Sequence, residues 1–261
     1  MALEKLSEKF EACVIASGWV KPESRIIDSR EIFVIINTTT HYEFMNGVYR
    51  TRLGAENAEK EIERHYRFFR EHNISFRWYV FPHSTPAELN EKIQQLNPGR
   101  IIEMQGLYAR TDDPGFRIPS GVTVEELSKK NLADYTETKI AGWSQSGAEA
   151  DKIRREIRAG VEKGDMGYRG FLARYNGEPA STGMMRIVNG AGYFYGGSTL
   201  PEFRGKGAYR GLVAHRLRLL HAQGIELALV LARTATSAPI CRTIGFKIAC
   251  ECRTYDFSFY W

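Results

Sequence analysis

The stretch from Gly207 to Leu231 constrains the fold more than any other part of the chain. Between Gly207 and Gln223, Leu212, Val213, Leu217 and Leu220 recur at the three-to-four spacing of one helical face, and Gly224 follows as a stop. Next comes Glu226-Leu227-Ala228-Leu229-Val230-Leu231, continuously apolar after its first residue. A strand with one wet face alternates, whereas a strand covered on both faces does not. A helix that returns into a doubly covered strand is the crossover of a parallel pair, which makes the chain α/β.

The clearest break falls at Thr111-Asp112-Asp113-Pro114-Gly115 and Pro119-Ser120-Gly121, where turn formers cluster between apolar segments. Before it, Glu31 to Asn37 reads as a buried strand, 58–73 as a helix, 75–81 as a strand, and 100–108 as another. Ser84 or Thr85 is expected to cap a helix running to about Leu96. After the break the pattern predicts a strand at 122–127, helices at 129–143 and 148–163, and a hairpin of 170–175 with 179–188 turning at Asn176-Gly177. A strand at 192–200, the 207–223 helix, the 226–231 strand, a short helix at 237–243 and a strand at 247–260 complete the chain. Each half thus repeats the order helix, strand, short helix, strand, which predicts two similar domains, 1–115 and 116–261.

Composition excludes several classes. The chain has 261 residues, long enough to bury a real core. No stretch reaches the ~18 apolar residues of a membrane helix. Met1 to Phe10 mixes Glu4, Lys5, Glu8 and Lys9, unlike a signal peptide. The net charge of +5 suits a small anionic ligand, and with no basic run beyond Arg154-Arg155 it argues against nucleic acid. Cys13, Cys241, Cys250 and Cys252 are too few and too irregular for a disulfide scaffold, so buried thiols in a reducing cytoplasm are expected. The histidines, His41, His65, His72, His83, His215 and His221, show no i, i+4 pair, so no metal site is expected. No G-x-S-x-G elbow supports a serine hydrolase.

The chemistry concentrates in Ser198 to Gly211, STLPEFRGKGAYRG, between a strand and the returning helix. A helix N-terminus offers unpaired N–H groups and the positive end of its dipole, which bind phosphate. Gly205 and Gly207 would let backbone approach the phosphate oxygens, and Arg204, Lys206 and Arg210 add charge. A P-loop requires Ser or Thr after Gly-Lys, where Gly207 stands here; a dinucleotide fingerprint requires its third glycine one place before Gly211.

Pro201-Glu202-Phe203-Arg204-Gly205-Lys206-Gly207-Ala208-Tyr209 resembles the Arg/Gln-x-x-Gly-x-Gly/Ala hallmark of the GCN5-related N-acetyltransferase superfamily, with Tyr209 departing from its last small residue. Ile244-Gly245-Phe246 resembles the family's later Leu-Gly-Phe. The resemblance covers about residues 120–261. It implies an acyl-CoA N-acyltransferase-like mixed twisted sheet flanked by helices, with acetyl-CoA as cosubstrate and a small-molecule or peptide amine as acceptor. Acetyl-CoA would lie where the 192–200 and 226–231 strands splay, held by Ser198, Thr199, Leu200, Arg204 to Arg210 and Ser237. A neutral amine would attack directly in a ternary complex. Cys241 stands where the family commonly has a proton-donating Tyr; Tyr195, Tyr193 and Glu149 are further proton handlers, and Trp143, Ser144 and Gln145 candidate pocket residues, with a buried Trp143 the commoner outcome. The loss of that Tyr leaves a non-catalytic acyl-CoA-binding regulatory module as the alternative. The first half has the element order without the loop, so it is expected to be a degenerate relative of the second that holds no CoA.

Overall fold

The computed structural model describes residues 3–16, 20, 23–39 and 42–259; His41 and Tyr260, and the outer bounds Met1 and Trp261 of the two expected domains, lie outside them. In chain order the elements are α1 (Leu3–Ala16), β1 (Arg25–Asp28), β2 (Ile32–Ile36), β3 (Gly47–Thr51), α2 (Ala55–Glu71), β4 (Phe76–Val80), α3 (Leu89–Gln94) and β5 (Arg100–Arg110). They continue as β6 (Val122–Glu126), α4 (Leu132–Gly142), α5 (Gly147–Lys163), β7 (Arg169–Tyr175), β8 (Glu178–Val188), β9 (Ala191–Thr199), α6 (Ala208–Ala222), β10 (Leu227–Arg233), α7 (Ser237–Ile244) and β11 (Lys247–Phe257). The fold is α/β, with mixed sheet flanked by helices.

Two compact units emerge: Met1–Leu107 with Leu231–Cys241 and Ile248–Trp261, and Tyr108–Val230 with Arg242–Lys247. In the first, strands run in the order β1-β2-β3-β4-β11-β5; β1/β2 and β2/β3 are antiparallel, β3/β4 parallel and β4/β11 antiparallel. In the second, β6 to β9 form an antiparallel meander and β10 joins β9 in parallel.

The expected repeat is present as α2-β4-α3-β5 and α6-β10-α7-β11. The last strand, however, pairs with β4, matching Phe257 to Phe76 and Arg253 to Val80. Its apolar side chains decide this. Tyr255 and Phe257 are buried in the cluster of Phe69, Phe76 and Trp78, with Phe76 stacked on Phe69 at 4.2 Å and on Phe257 at 4.8 Å. Connection along the chain does not dictate which strand edge a segment joins.

Other differences have local causes. α1 forms because Leu6, Phe10, Cys13 and Val14 share one buried helical face. α3 starts four residues later than expected from Thr85, because neither proposed cap acts as one: Ser84 Oγ accepts the Phe81 N–H (3.0 Å), and Thr85 pairs with the end of β3. The 176–177 turn matches its sequence: Asn176 at φ 50° and Gly177 at φ 89° give the primed geometry a two-residue hairpin requires.

Candidate functional site

β9 carries the geometry that matters. Its parallel register with β10 runs from Ala191↔Leu227 to Phe194↔Val230. Immediately beyond, β8 pairs Met184 with Tyr195 and then Thr182 with Ser198, so β9 has one residue too many and bulges at Gly196-Gly197. Gly196 lies at φ +61°, and a Cβ there would run into Met184 Cε; a Cβ on Gly197 would sit 2.8 Å from the Tyr209 ring. The bulge therefore requires both glycines. Past it, the strand is held from the β8 side: Ser181 Oγ donates to the Ser198 carbonyl (2.6 Å), and the Leu200 N–H to the Ala180 carbonyl (3.0 Å). The Ser198 hydroxyl lies 3.2 Å from Thr182 Oγ1.

The chain then turns through Arg204–Gly207 into α6. Gly207 is the N-cap in the left-handed region (φ +85°), and a Cβ on it would meet Pro119 Cγ at 2.9 Å. The glycine is thus needed for backbone geometry and for close packing on Pro119. Gly211 likewise allows contact with Val122 (2.5 Å from a Cβ). Gly205 differs: it is exposed, at φ +76°, and a Cβ would find nothing within 4 Å. The first bond of the helix runs from the Gly211 N–H to the Gly207 carbonyl (2.9 Å), which directs the N–H groups of Ala208 and Arg210 out of the helix end. Arg204, Lys206 and Arg210 are all exposed around it. Lys206 Nζ rests over the rings of Phe203 (5.3 Å) and Tyr175 (5.6 Å), and Arg210 Nη2 donates weakly to the Thr243 carbonyl (3.4 Å). Tyr209, where the resemblance has a small residue, lays its ring on Gly197.

On the other face of β9, Tyr193 and Tyr195 stack at 5.6 Å, and Tyr168 meets Tyr195 edge-on at 6.4 Å. Burial pushes the Tyr195 hydroxyl up to about 12, against the pull of Arg186. Tyr135 and Lys139 of α4 face the same strands. Burial raises Tyr135 well above the ordinary tyrosine value and draws the Lys139 ammonium down to about 8. Sequence reasoning missed both residues. The available signal was a lysine among the buried positions Tyr135, Thr136, Thr138 and Ile140 of one helix.

The remaining predicted residues lie on other elements. Ser237 and Cys241 lie on α7 in the first unit, whereas Ser198 to Arg210 lie in the second. Ser237 Oγ accepts the Arg233 N–H (2.9 Å), and Cys241 is buried. Glu149 is half-buried in the first turn of α5, and Ser144 and Gln145 follow α4. Trp143 is 46% exposed, against the expected burial, because α4 ends at Gly142 and the indole falls beyond its packed face. Among the described residues, no group of three or more His, Cys, Asp or Glu could hold a metal ion, and no helix is long and apolar enough to cross a membrane.

No family model and no curated protein matches the sequence. Solved structures do match. A functionally unknown conserved protein from Staphylococcus epidermidis superposes with a TM-score of 0.72 at 14% identity, over 92% of this chain and 96% of that one. A GCN5-related N-acetyltransferase from Kribbella flavida gives 0.64 at 14% identity, over 98% and 95%. A tandem GNAT protein from the clavulanic acid biosynthesis pathway gives 0.59 at 11% identity, over 98% and 97%. At these identities the likeness is one of fold, and nearly the whole chain has the fold of these acetyltransferases.

Proposed function

We propose that the protein transfers an acetyl group from acetyl-CoA to a primary amine of a small molecule or peptide, by direct attack in a ternary complex. The observation that carries this reading is the β9–α6 junction. A strand bulged at Gly196-Gly197, just past its last pair with β10, runs into an open, cationic helix N-terminus. The residues fit the cosubstrate: Gly205 presents open space, and Arg204, Lys206 and Arg210 stand against Glu202 alone in that loop. Main-chain N–H groups of Gly205 and of Gly207 to Arg210 would hold the pyrophosphate, the Lys206 N–H being donated to the Phe203 carbonyl (3.3 Å), with the three cations neutralising it. The main chain of Ser198 to Leu200 would pair with the pantetheine arm as an added strand. When bound, the thioester supplies an activated acyl carbon. An N–H of the bulged segment would stabilise the negative charge that develops on its oxygen. Tyr195, kept protonated by burial, is suited to donate a hydrogen bond and not to take up a proton. Ser237 and Cys241 enter no step of this scheme. The first unit we read as an acetyltransferase-like unit that holds no CoA.

Calorimetry with CoA tests the site. One CoA should bind per chain, and Arg210→Glu should weaken binding by at least about tenfold, since it replaces a charge-assisted phosphate contact with repulsion. Thiol release across a panel of primary amines then tests transfer. Absence of CoA binding, or an unchanged affinity in Arg210→Glu, refutes the assignment.

A further inference from the structure

Helix α4 lies along β8 and β9, and three of its residues fix its height. Tyr135 packs on Gly170, where a Cβ would be 3.0 Å from the tyrosine hydroxyl. Gly142, two turns later, packs on Ser198, where its Cβ would be 2.5 Å from Oγ. Positions i, i+4 and i+7 share a helical face, so Lys139 sits between these two contacts. There its Nζ donates to Met184 Sδ at 3.6 Å, and Met184 is the residue whose Cε fills the place of a Gly196 Cβ. Lys139 Nζ is therefore one side chain away from the bulge at which the acyl group would be polarised.

The bonding of this lysine is poor for an ammonium. A thioether is a weak acceptor, and among the described residues no carboxylate forms an ion pair with Lys139. The other ionisable groups on that side are Tyr135, Tyr168 and Tyr195, with Arg186 beside Tyr195, Arg216 bonded to the Met184 carbonyl (2.9 Å), and the exposed Glu156 acting on Tyr168. Of these only Glu156 is negative near neutral pH, and it is exposed and forms no ion pair with Lys139. A half-buried amine with such neighbours holds its proton less tightly than an exposed lysine, and at pH 8 a large share is the uncharged form, which is the nucleophile.

We propose that Lys139 is itself an acyl acceptor: its Nζ takes the acetyl group from acetyl-CoA bound along β9 and becomes Nζ-acetyl-lysine. This rests on the acetyl-CoA reading above. The nitrogen lone pair attacks the thioester carbonyl, the N–C bond forms and the C–S bond breaks. Sulfur departs with the electron pair and ends as the CoA thiol, carrying the proton that nitrogen sheds. The product has no charge to desolvate.

The test uses the full chain with acetyl-CoA at pH 8, after calorimetry with CoA on the same sample. Intact mass and peptide mapping follow the acetyl increment. Lys139 should be labelled at least about tenfold faster than the other lysines, because a held nucleophile gains effective concentration. Excess CoA should suppress that labelling, and Lys139→Arg should lose it while binding CoA normally. If CoA binds but Lys139 reacts no faster than other lysines, or excess CoA leaves its labelling unchanged, self-transfer is overturned and the CoA site stands. If CoA does not bind, both readings fall.

Discussion

The two units contain the same crossover, built once closed and once open. In each, an antiparallel pair leads to a bulged strand, then a helix, then a parallel strand. β9 bulges at Gly196-Gly197, and β3 bulges at Tyr49, where β2 pairs Val34 with Val48 and then Phe33 with Arg50. Both parallel registers are short, ending at Phe194↔Val230 in one and Val48↔Trp78 in the other. Past the bulge the two diverge. Beside the end of β3, the chain supplies its own extra strand: the Thr85 N–H donates to the Thr51 carbonyl (3.1 Å), and the Leu53 N–H to the Thr85 carbonyl (3.2 Å). Trp78, at the register position that Val230 holds in the second unit, reaches across with Nε1 to Thr51 Oγ1 (3.0 Å). α2 then begins at once after Gly54, with the Glu56 carboxylate folded against that glycine. Around α6 the equivalent position carries Arg204, Lys206 and Arg210 on a longer turn. An acidic first turn satisfies the helix dipole internally, whereas a basic one leaves it for an outside anion. Under the proposed function, the difference teaches that one topology becomes receptive or closed through a few residues at the strand end.

The largest expected effect tests the closed copy. Trp78→Ala removes a fully buried indole and should cost about 3–5 kcal/mol in urea denaturation. It should leave one CoA bound per chain, because Thr85 still occupies the strand edge; a stoichiometry of two, in wild type or variant, breaks the comparison.

Next in size is a contrast of ion pairs. In the first unit Asp256 is 2% exposed and is gripped by Arg77 (2.6 and 3.0 Å) and Arg100 (2.7 and 3.0 Å). Burial alone would raise its pKa, but the two guanidinium groups hold it below the ordinary aspartate value. In the second unit, Glu126–Arg169 and Glu137–Arg154 lie at the surface. A carboxyl with a lowered folded-state pKa contributes stability above its unfolded value, near pH 4, and loses it as pH falls through the folded value. Asp256→Asn should therefore cost about 3 kcal/mol at pH 7, and less below about pH 4. Urea midpoints at pH 7 and pH 3 measure this, and an equal penalty at both would contradict it.

Much of this architecture is legible in the sequence. Long periodic segments such as 58–73 and 207–223 announce their helices, and Asn176-Gly177 its turn. β3 is not legible: Gly47-Val48-Tyr49-Arg50-Thr51 is short, and its arginine hides the buried pattern. Without β3, the match between the two crossovers stays concealed. The partner of β11 is illegible for another reason, since burial against Phe76 is a long-range choice that no local spacing encodes. The glycine-rich loop before α6 is visible because glycines and cations are local signals. The packing of Gly207 on Pro119 is not visible there, because Pro119 lies far off in the chain. Lys139 escapes notice because one cation on an amphipathic helix normally lies in solvent, and only packing reveals otherwise.

The smallest effect separates folding from binding at the open copy. Lys206 is exposed, and its contacts with Phe203 and Tyr175 are cation–π contacts at a wet site, each worth about 0.5–1 kcal/mol at most. Lys206→Met keeps the length and apolar body of the side chain, so stability should shift by less than about 1 kcal/mol. If the rings merely park the ammonium until a phosphate arrives, CoA affinity should still fall about tenfold, or ~1.4 kcal/mol, and should lose part of its salt dependence. A purely structural lysine would show the reverse, a stability loss with CoA affinity and its salt slope intact. That outcome would leave the cationic rim of α6 no more functional than the acidic rim of α2.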